Sequence, residues 1–436
     1  MINEILNLRN HLGFMKYLKN TSWLFAEKTL RVFTGLFVGI WLSRYLGPNQ
    51  LGVFSYAQSF VVLLTCMAPL GIDGIVIREL VKSKNRNDDL ILTSFLLKLF
   101  GAIFSIFLLV IGIIFSSNDT YTSTLIIIIG GATIFQVSSV FDSYFQSIVL
   151  SKYSVFGNII SLVLSTLIKI TLIISDAPLI AFAYLMLFDG FTLSVGLFYF
   201  FKQQTKFKIK NAKFSKEIAL KLLKNSWPLA LSSLATVVYV KIDQIMIMHL
   251  LGSESVGNYA AAVRISEAWG IIPAIIMSTF FPAMINTKLK CEQTFIRRLK
   301  KLYAFMFLSA ACIAISISLF SEKIILLLYG DMFSAASAVL TVHIWANIFV
   351  FIGLVSSRWF IVENLQIYSL INAVLGALLN IILNFLFINS MGLIGAALAT
   401  LISYSFIFYF SLFIWKKTRD NFFAISLSLF SLKKLK

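Results

Sequence analysis

The stretch 90–116, LILTSFLLKLFGAIFSIFLLVIGIIFS, carries one charge, Lys98. A helix needs about 20 consecutive apolar residues to cross the ~30 Å hydrocarbon core of a bilayer, so this run reads as a transmembrane span. Outward from it, comparable runs fall near 21–46, 52–75, 123–148, 155–175, 178–201, 225–250, 257–285, 302–320, 333–356, 366–388 and 392–415, which makes twelve spans in 436 residues. The apolar piece at 324–329 is too short to span alone.

Composition agrees. Hydrophobic residues make up 59% of the chain and charged residues 13%, and the mean hydropathy is +0.89. Soluble domains are about a quarter charged, and a soluble fold of this composition would expose apolar surface everywhere. The net charge of +18 does not indicate nucleic acid, because Lys and Arg stand between the apolar runs on one side, where they face anionic lipid headgroups. Cys66, Cys291 and Cys312 are scattered, with no metal or disulfide spacing. The segment 1–20 holds Arg9, Lys16 and Lys19 without a short apolar core and cleavage site. It reads as an interfacial amphipathic segment; 416–436 reads as a cytoplasmic basic tail, interfacial over Asn421–Lys436.

With twelve spans, the cations of loops 76–89, 202–224 and 286–301 and of the C-terminus share one side, while the other side shows only Arg44 and Lys323. Positive charge stays in the cytoplasm, so both termini are expected there. The chain also repeats. Lys19-Asn20-Thr21 aligns with Lys224-Asn225-Ser226, Leu46-Gly47 with Leu251-Gly252, and Gly52 with Gly257; later, Leu150…Tyr153-Ser154 echoes Leu365…Tyr368-Ser369. The expectation is an all-α integral membrane protein of two parallel-related six-helix lobes. These are an N-lobe over 21–201 and a C-lobe over 225–415, joined by a basic linker, 202–224, with a site between them. Pro69 and Pro273 lie near repeat-equivalent places late in span 2 and in span 8. They serve as static bends or as gating points.

Charges inside the spans are the informative residues, since one near a helix centre costs roughly 2.5–3.5 kcal/mol on insertion scales. Span 1 carries Glu27, Lys28 and Arg31, with Arg31 within three or four residues of both others and so on their helix face. Span 7 carries Lys241 and Asp243, and span 8 carries Arg264 and Glu267. Facing inward, Arg31, Lys28, Lys241 and Arg264 would make a cationic lumen. The structural alternative pairs Glu27 with Arg31 and Glu267 with Arg264. Lys241 and Asp243, two apart, cannot share a face. Asp189 falls mid-span, whereas Lys98, Lys169 and Asp142 near span ends point to snorkelling or interfacial solvation. His343 fits a proton path or one satisfied hydrogen bond, and Asp73 fits the turn after span 2.

A cationic lumen selects an anion, and phosphate matches best: Arg forks onto it and Lys acts as a point charge. No Walker-type loop is present, so the drive must be an ion gradient, the membrane potential or substrate supply. Glu27, Asp189, Asp243 and Glu267 are the acids that would couple a proton or sodium ion; no other cofactor is expected. A drug antiporter would want a net acidic lumen. A polysaccharide polymerase or lipid-sugar transferase would want a substantial outer loop.

The stretch Asn20-Thr-Ser-Trp-Leu-Phe-Ala-Glu27-Lys28, then Arg31, Ser43-Arg44-Tyr45-Leu46-Gly47-Pro48, Gly52 and Ile72-Asp73-Gly74-Ile-Val-Ile-Arg78-Glu79-Leu80 resembles the Wzx-type polysaccharide flippases. Those belong to the multidrug/oligosaccharidyl-lipid/polysaccharide (MOP) exporter superfamily. Leu328-Tyr329-Gly330 and Gly395-Ala396-Ala397 are similar too. The resemblance implies a MATE-like V of two lobes in a bacterial inner membrane. It implies transport, not catalysis, of an undecaprenyl-diphosphate-linked glycan for O-antigen or other surface polysaccharide, with the polymerase and chain-length regulator of that pathway as partners. Arg31 matches the family's first-helix cation. The two extra helices of peptidoglycan-precursor flippases have no counterpart in twelve spans.

Overall fold

In lipid, a backbone N–H or C=O has no partner outside the chain, and helices satisfy both internally. Every regular element among the described residues is helical. The computed structural model describes residues 12–82, 87–205 and 212–430. The interfacial segment expected over 1–20 lies largely outside them, as do Lys84, Arg86, Lys206, Lys208, Lys210, Lys433, Lys434 and Lys436.

The elements are α1 (Leu12–Thr65), α2 (Asp73–Lys82), α3 (Asn87–Phe115), α4 (Thr120–Gly131), α5 (Ser139–Ser147), α6 (Lys152–Ile174), α7 (Leu179–Gln204), α8 (Lys216–Leu251), α9 (Ser253–Ala268), α10 (Ile271–Lys290), α11 (Glu292–Tyr329), α12 (Ala336–His343), α13 (Ala346–Val362), α14 (Gln366–Ser405), α15 (Ser411–Ile414) and α16 (Arg419–Phe430). Nine helices among the described residues are long and apolar enough to cross a membrane. The last of these breaks at Gly392 (φ 60°) into two arms. The charge-bearing α1, which is not among the nine, breaks at Gly47 (φ 67°) into two more. Twelve spans are consistent with that inventory.

The repeat is visible in the backbone. Gly47 (φ 67°) and its counterpart Gly252 (φ 85°) share a left-handed geometry that favours glycine. Val149 (φ 58°) and Asn364 (φ 56°) do the same ahead of the second matched motif. There the N–H of Leu150 bonds to Phe145 O at 2.9 Å and that of Leu365 to Phe360 O at 2.8 Å. Both turns close a helix with the same six-to-one bond.

The chain forms two compact units, 1–39 with 60–234 and 40–59 with 235–436. The boundaries therefore differ from the lobes read off the sequence, because 40–59 packs with the second half. Ser59 Oγ donates to Gln244 Oε1 at 2.7 Å. A Cβ built on Gly52 would stand 1.7 Å from Ser253 O, and one on Gly257 1.9 Å from Pro48 O.

In the first unit, Asn20 Nδ2 donates to Ser151 Oγ at 3.1 Å and Asn20 Oδ1 accepts from the Ser151 N–H at 2.7 Å. Asp119 caps α4, accepting from the N–H groups of Tyr121 and Thr122, and its bonds from Thr122, then Tyr121, hold its carboxyl below the ordinary range. The short α2 packs with Ile72, Phe141, Phe145 and Leu222. Its Glu79 accepts from Lys221 Nζ at 2.7 Å and Arg78 Nη2 at 3.1 Å; Lys221 first, then Arg78, holds that carboxyl down.

Pro69 departs from expectation. The helix ends at Thr65, and Pro69 sits in a turn closed by Ala68 N–Thr65 O and Leu70 N–Met67 O bonds, with Leu70 and Gly71 at positive φ. It bends no helix. Pro273 occupies the first turn of α10, after a break at Trp269–Gly270, where the missing N–H costs nothing. Both prolines thus stand at helix breaks. In the second unit the tail segment α16 is docked, not only interfacial: Asn421 and Ile425 are buried, and Tyr303 donates to Asn421 Oδ1 at 2.8 Å.

Candidate functional site

The second unit holds a carboxyl that is costly to bury. Asp243, 2% exposed, sits inside the apolar run of α8. Burying an ionised carboxylate is expensive unless donors or a cation compensate it. Tyr259 of α9 donates to Oδ2 at 2.6 Å, Thr400 to the same oxygen at 2.6 Å, and Asn384 Nδ2 to Oδ1 at 2.7 Å. Asn384 and Thr400 come from the two arms of α14, so the break at Gly392 is what folds both onto one carboxylate. Three neutral donors meet Asp243, and none of its ion pairs with a cation falls within 4 Å among the described residues. Around it, both amide atoms of Asn380 and Oδ1 of Asn384 are buried without partners. The result is a carboxylate, two hydroxyls and two amide groups with spare oxygen capacity, which suits a proton or a small hard cation.

Lys241 does not meet Asp243. It is half-buried and, among the described residues, has no carboxylate within 4 Å. Arg264 Nη1 donates to Ser43 Oγ at 3.2 Å, while Glu267 is exposed. His343 Nδ1 pairs with Ser266 Oγ at 2.9 Å, and Asn347 Nδ2 reaches Ser266 O at 2.8 Å, which is the satisfied-histidine alternative.

In the first unit, Arg31 Nε donates to Glu27 Oε1 at 2.8 Å, the i,i+4 pairing that the sequence offered. The Glu27 side chain is 5% exposed and that of Arg31 45%, so the guanidinium still presents its outer nitrogens. Lys28 is exposed. Asp189 Oδ1 accepts from Ser161 at 2.6 Å and Ser165 at 2.9 Å, joining α7 to α6. Lys98 corrects the snorkelling expectation: it is 2% exposed, ion-paired with Asp73 and donating to Ser139 Oγ at 2.6 Å. The turn before α2 brings Asp73 to it, so the lysine finds its counter-charge without reaching water.

Sequence reasoning missed the ligands of Asp243. A signal existed: Asn380 and Asn384 lie one helical turn apart inside an apolar run, and such pairs share a face. It also missed Arg358, just past the end of span 10, whose guanidinium lies 5.2 Å over the Phe281 ring.

A family model described as polysaccharide biosynthesis protein matches residues 17–288, more than half of the chain. The Haloferax volcanii protein named probable low-salt glycan biosynthesis flippase Agl15 is 26% identical over 178 residues, which are 40% of this chain. The match spans 37% of that relative's length. Among solved structures, an inward-facing multidrug resistance MATE family transporter of the MOP superfamily superposes with a TM-score of 0.73 at 16% identity, over 93% of this chain and 96% of that one. Lipid II flippase MurJ, in an inward closed conformation, gives 0.68 at 18%, over 94% and 91%. At such identities the likeness shows the fold, that of multi-pass MOP-superfamily transporters. Two matched half-chains of membrane-length helices, broken at equivalent glycines, and the match over 17–288 lead to one assignment: this chain belongs to the polysaccharide biosynthesis protein family.

Proposed function

We propose that the protein is a flippase for a lipid-linked glycan. It carries an undecaprenyl-diphosphate-linked oligosaccharide from the cytoplasmic to the periplasmic leaflet of a bacterial inner membrane, for O-antigen or another surface polysaccharide. The family match over 17–288 carries this proposal; the printed name of the Haloferax relative, a glycan biosynthesis flippase, supports it.

The residues supply the chemistry as follows. Arg31, oriented by Glu27, offers the remaining nitrogens of its fork to a phosphate oxygen pair. Lys28, Lys241 and Arg264 add point or forked charge as the diphosphate passes. The isoprenoid tail stays in lipid, and alternating access exposes the sugars to the far side. Asp243 takes a proton or sodium ion from the gradient. Filling its oxygen set changes the charge held by α8, α9 and α14, which is a differential interaction able to shift a conformational equilibrium. The pathway's polymerase and chain-length regulator would receive the product.

The test is complementation of a deletion strain with Arg31→Glu, Lys241→Glu and Arg264→Glu at equal expression. Surface polysaccharide falls at least tenfold and sugar-linked lipid accumulates on the cytoplasmic leaflet. Normal polysaccharide with all three swaps overturns the cationic mechanism. Drug sensitivity with unchanged polysaccharide in the deletion strain overturns the flippase in favour of multidrug efflux.

A further inference from the structure

Span 12 changes its winding near the basic end. The second arm of α14 is α-helical to Ser405, passes through one π-helical turn, Phe406–Phe410, and resumes as α15. Such turns carry an extra residue and cluster at functional sites. This one drives Phe408 against Gly353 and Ile407 against Gly376. A Cβ built on those glycines would stand 2.3 Å and 2.0 Å from the two side chains. On its other side the turn borders a cavity of about 490 Å³.

Phe307, Trp345, Ile348, Ile352, Tyr409 and Phe410 form most of the cavity wall. The polar atoms of that wall are engaged elsewhere. Trp345 Nε1 donates to Ser318 Oγ at 3.1 Å, the Tyr409 hydroxyl pairs with Ser426 Oγ at 2.9 Å, and Ser405 Oγ donates to Ile402 O at 2.6 Å. A polar guest would lose its hydration for nothing, whereas a hydrocarbon chain would not. Ile402 and Phe410, at the mouth, are 39% and 54% exposed, so the cavity opens on apolar surface.

A path of rings leads from the cavity to positive charge. The Tyr409 ring packs tilted against Phe422 at 4.8 Å, Phe422 against Phe413 at 5.2 Å, and the Arg419 guanidinium lies 5.1 Å over Phe413. Lys416 and Lys417 are exposed beside it. Among the described residues, none of these three cations has a carboxylate within 4 Å. From Ile402 to Phe410 the helix rises roughly 12 Å, close to the ~15 Å depth of one leaflet's hydrocarbon.

We infer that this cleft binds one anionic phospholipid from the leaflet on the basic side, with an acyl chain in the cavity and its phosphate on Arg419, Lys416 and Lys417. An apolar slot one leaflet deep, ending at cations that have no carboxylate within 4 Å among the described residues, matches such an amphiphile in shape and charge; a polyprenyl chain is far longer than the slot. The site needs only that span 12 crosses a bilayer, so it stands apart from the flippase proposal.

Native mass spectrometry of the purified full chain tests it, after incubation with equal phosphatidylglycerol and phosphatidylethanolamine plus undecaprenyl phosphate. The expected result is one phosphatidylglycerol retained per chain, at least tenfold over phosphatidylethanolamine. That retention is lost tenfold in Ile402→Trp, which blocks the mouth, and in the triple variant Lys416→Gln, Lys417→Gln, Arg419→Gln. Equal retention of the two phospholipids overturns the site. So does preferential retention of undecaprenyl phosphate, and so does loss with the charge variant alone, which would mark a merely basic surface. Should Ile402→Trp fail to fold, acyl-brominated phosphatidylglycerol replaces it: quenching of wild-type fluorescence that falls in Trp345→Phe supports the cavity, and unchanged quenching overturns it. Transport is not read in any arm, so failure here leaves the flippase test untouched.

Discussion

Removing either partner of the Lys98–Asp73 ion pair should have sharply unequal effects. The Lys98 side chain is 2% exposed and that of Asp73 45%. Breaking a buried pair costs about 3–5 kcal/mol when the remaining charge has no water to turn to. Asp73→Asn leaves the ammonium buried, with Ser139 Oγ, a neutral amide and the weaker attraction of the Asp142 carboxylate as its company, so a loss of about 3 kcal/mol is expected at the lower end of that range. Lys98→Met removes the buried charge itself, and water still reaches the half-exposed carboxylate, which also accepts from Ser143 Oγ at 3.3 Å. That variant should lose about 1 kcal/mol, the scale of an ordinary hydrogen bond. The double variant should resemble Lys98→Met, leaving a coupling of about 3 kcal/mol. Equilibrium unfolding of the detergent-solubilised chain measures all four corners of the cycle. A Lys98→Met variant as unstable as Asp73→Asn, or a double variant worse than both, would refute this account of the burial.

Three further outcomes are expected. The Glu79 carboxyl is held down by Lys221 first and by Arg78, so its contribution is present above the ordinary carboxylate value of about 4.3 and fades as pH falls through its lower folded value; hydrogen exchange in α2 should accelerate below about pH 4 in the wild type, and a Glu79→Gln variant should lose that pH dependence. Gly353→Ala sets a methyl 2.3 Å from the Phe408 ring and should cost about 1–3 kcal/mol as overpacking, read as a lower melting temperature. Saturating sodium at a hundred times its dissociation constant should stabilise the wild type by about 2.7 kcal/mol and leave Asp243→Asn unmoved, whereas an unchanged melting temperature in the wild type would point to protons alone.

The membrane-length helices were legible because lipid leaves a backbone only one way to satisfy itself, and an apolar run announces that directly. The pairing of Glu27 with Arg31 was legible for a similar reason: four residues along one helix is a local geometry. Asp243 stood out as a charge in an apolar run, but its companions did not. Tyr259, Asn384 and Thr400 are uncharged and remote in sequence, and the backbone break at Gly392 brings the last two together. Lys98 was misread because depth was counted along its own helix alone. The turn through Leu70 and Gly71, both at positive φ, ends span 2 early and delivers Asp73 from outside that helix. Pro69 was misplaced by the same turn.

The approach of Gly52 to Ser253 and of Gly257 to Pro48 has a consequence for how freely this chain can vary. Where two helices meet through interlocked side chains, a lost methyl on one can be answered by a larger neighbour on the other, and many pairs of residues solve the same fit. Here main chain rests on main chain, with hydrogen as the only permissible substituent at either position. No second change elsewhere can make room without prising the helices apart, so the contact has no compensating partner to co-vary with it. A surface of interlocked side chains can drift by exchange of volumes; this one is open to no trade at all, and it ties the two copies of the repeat together at matching residues.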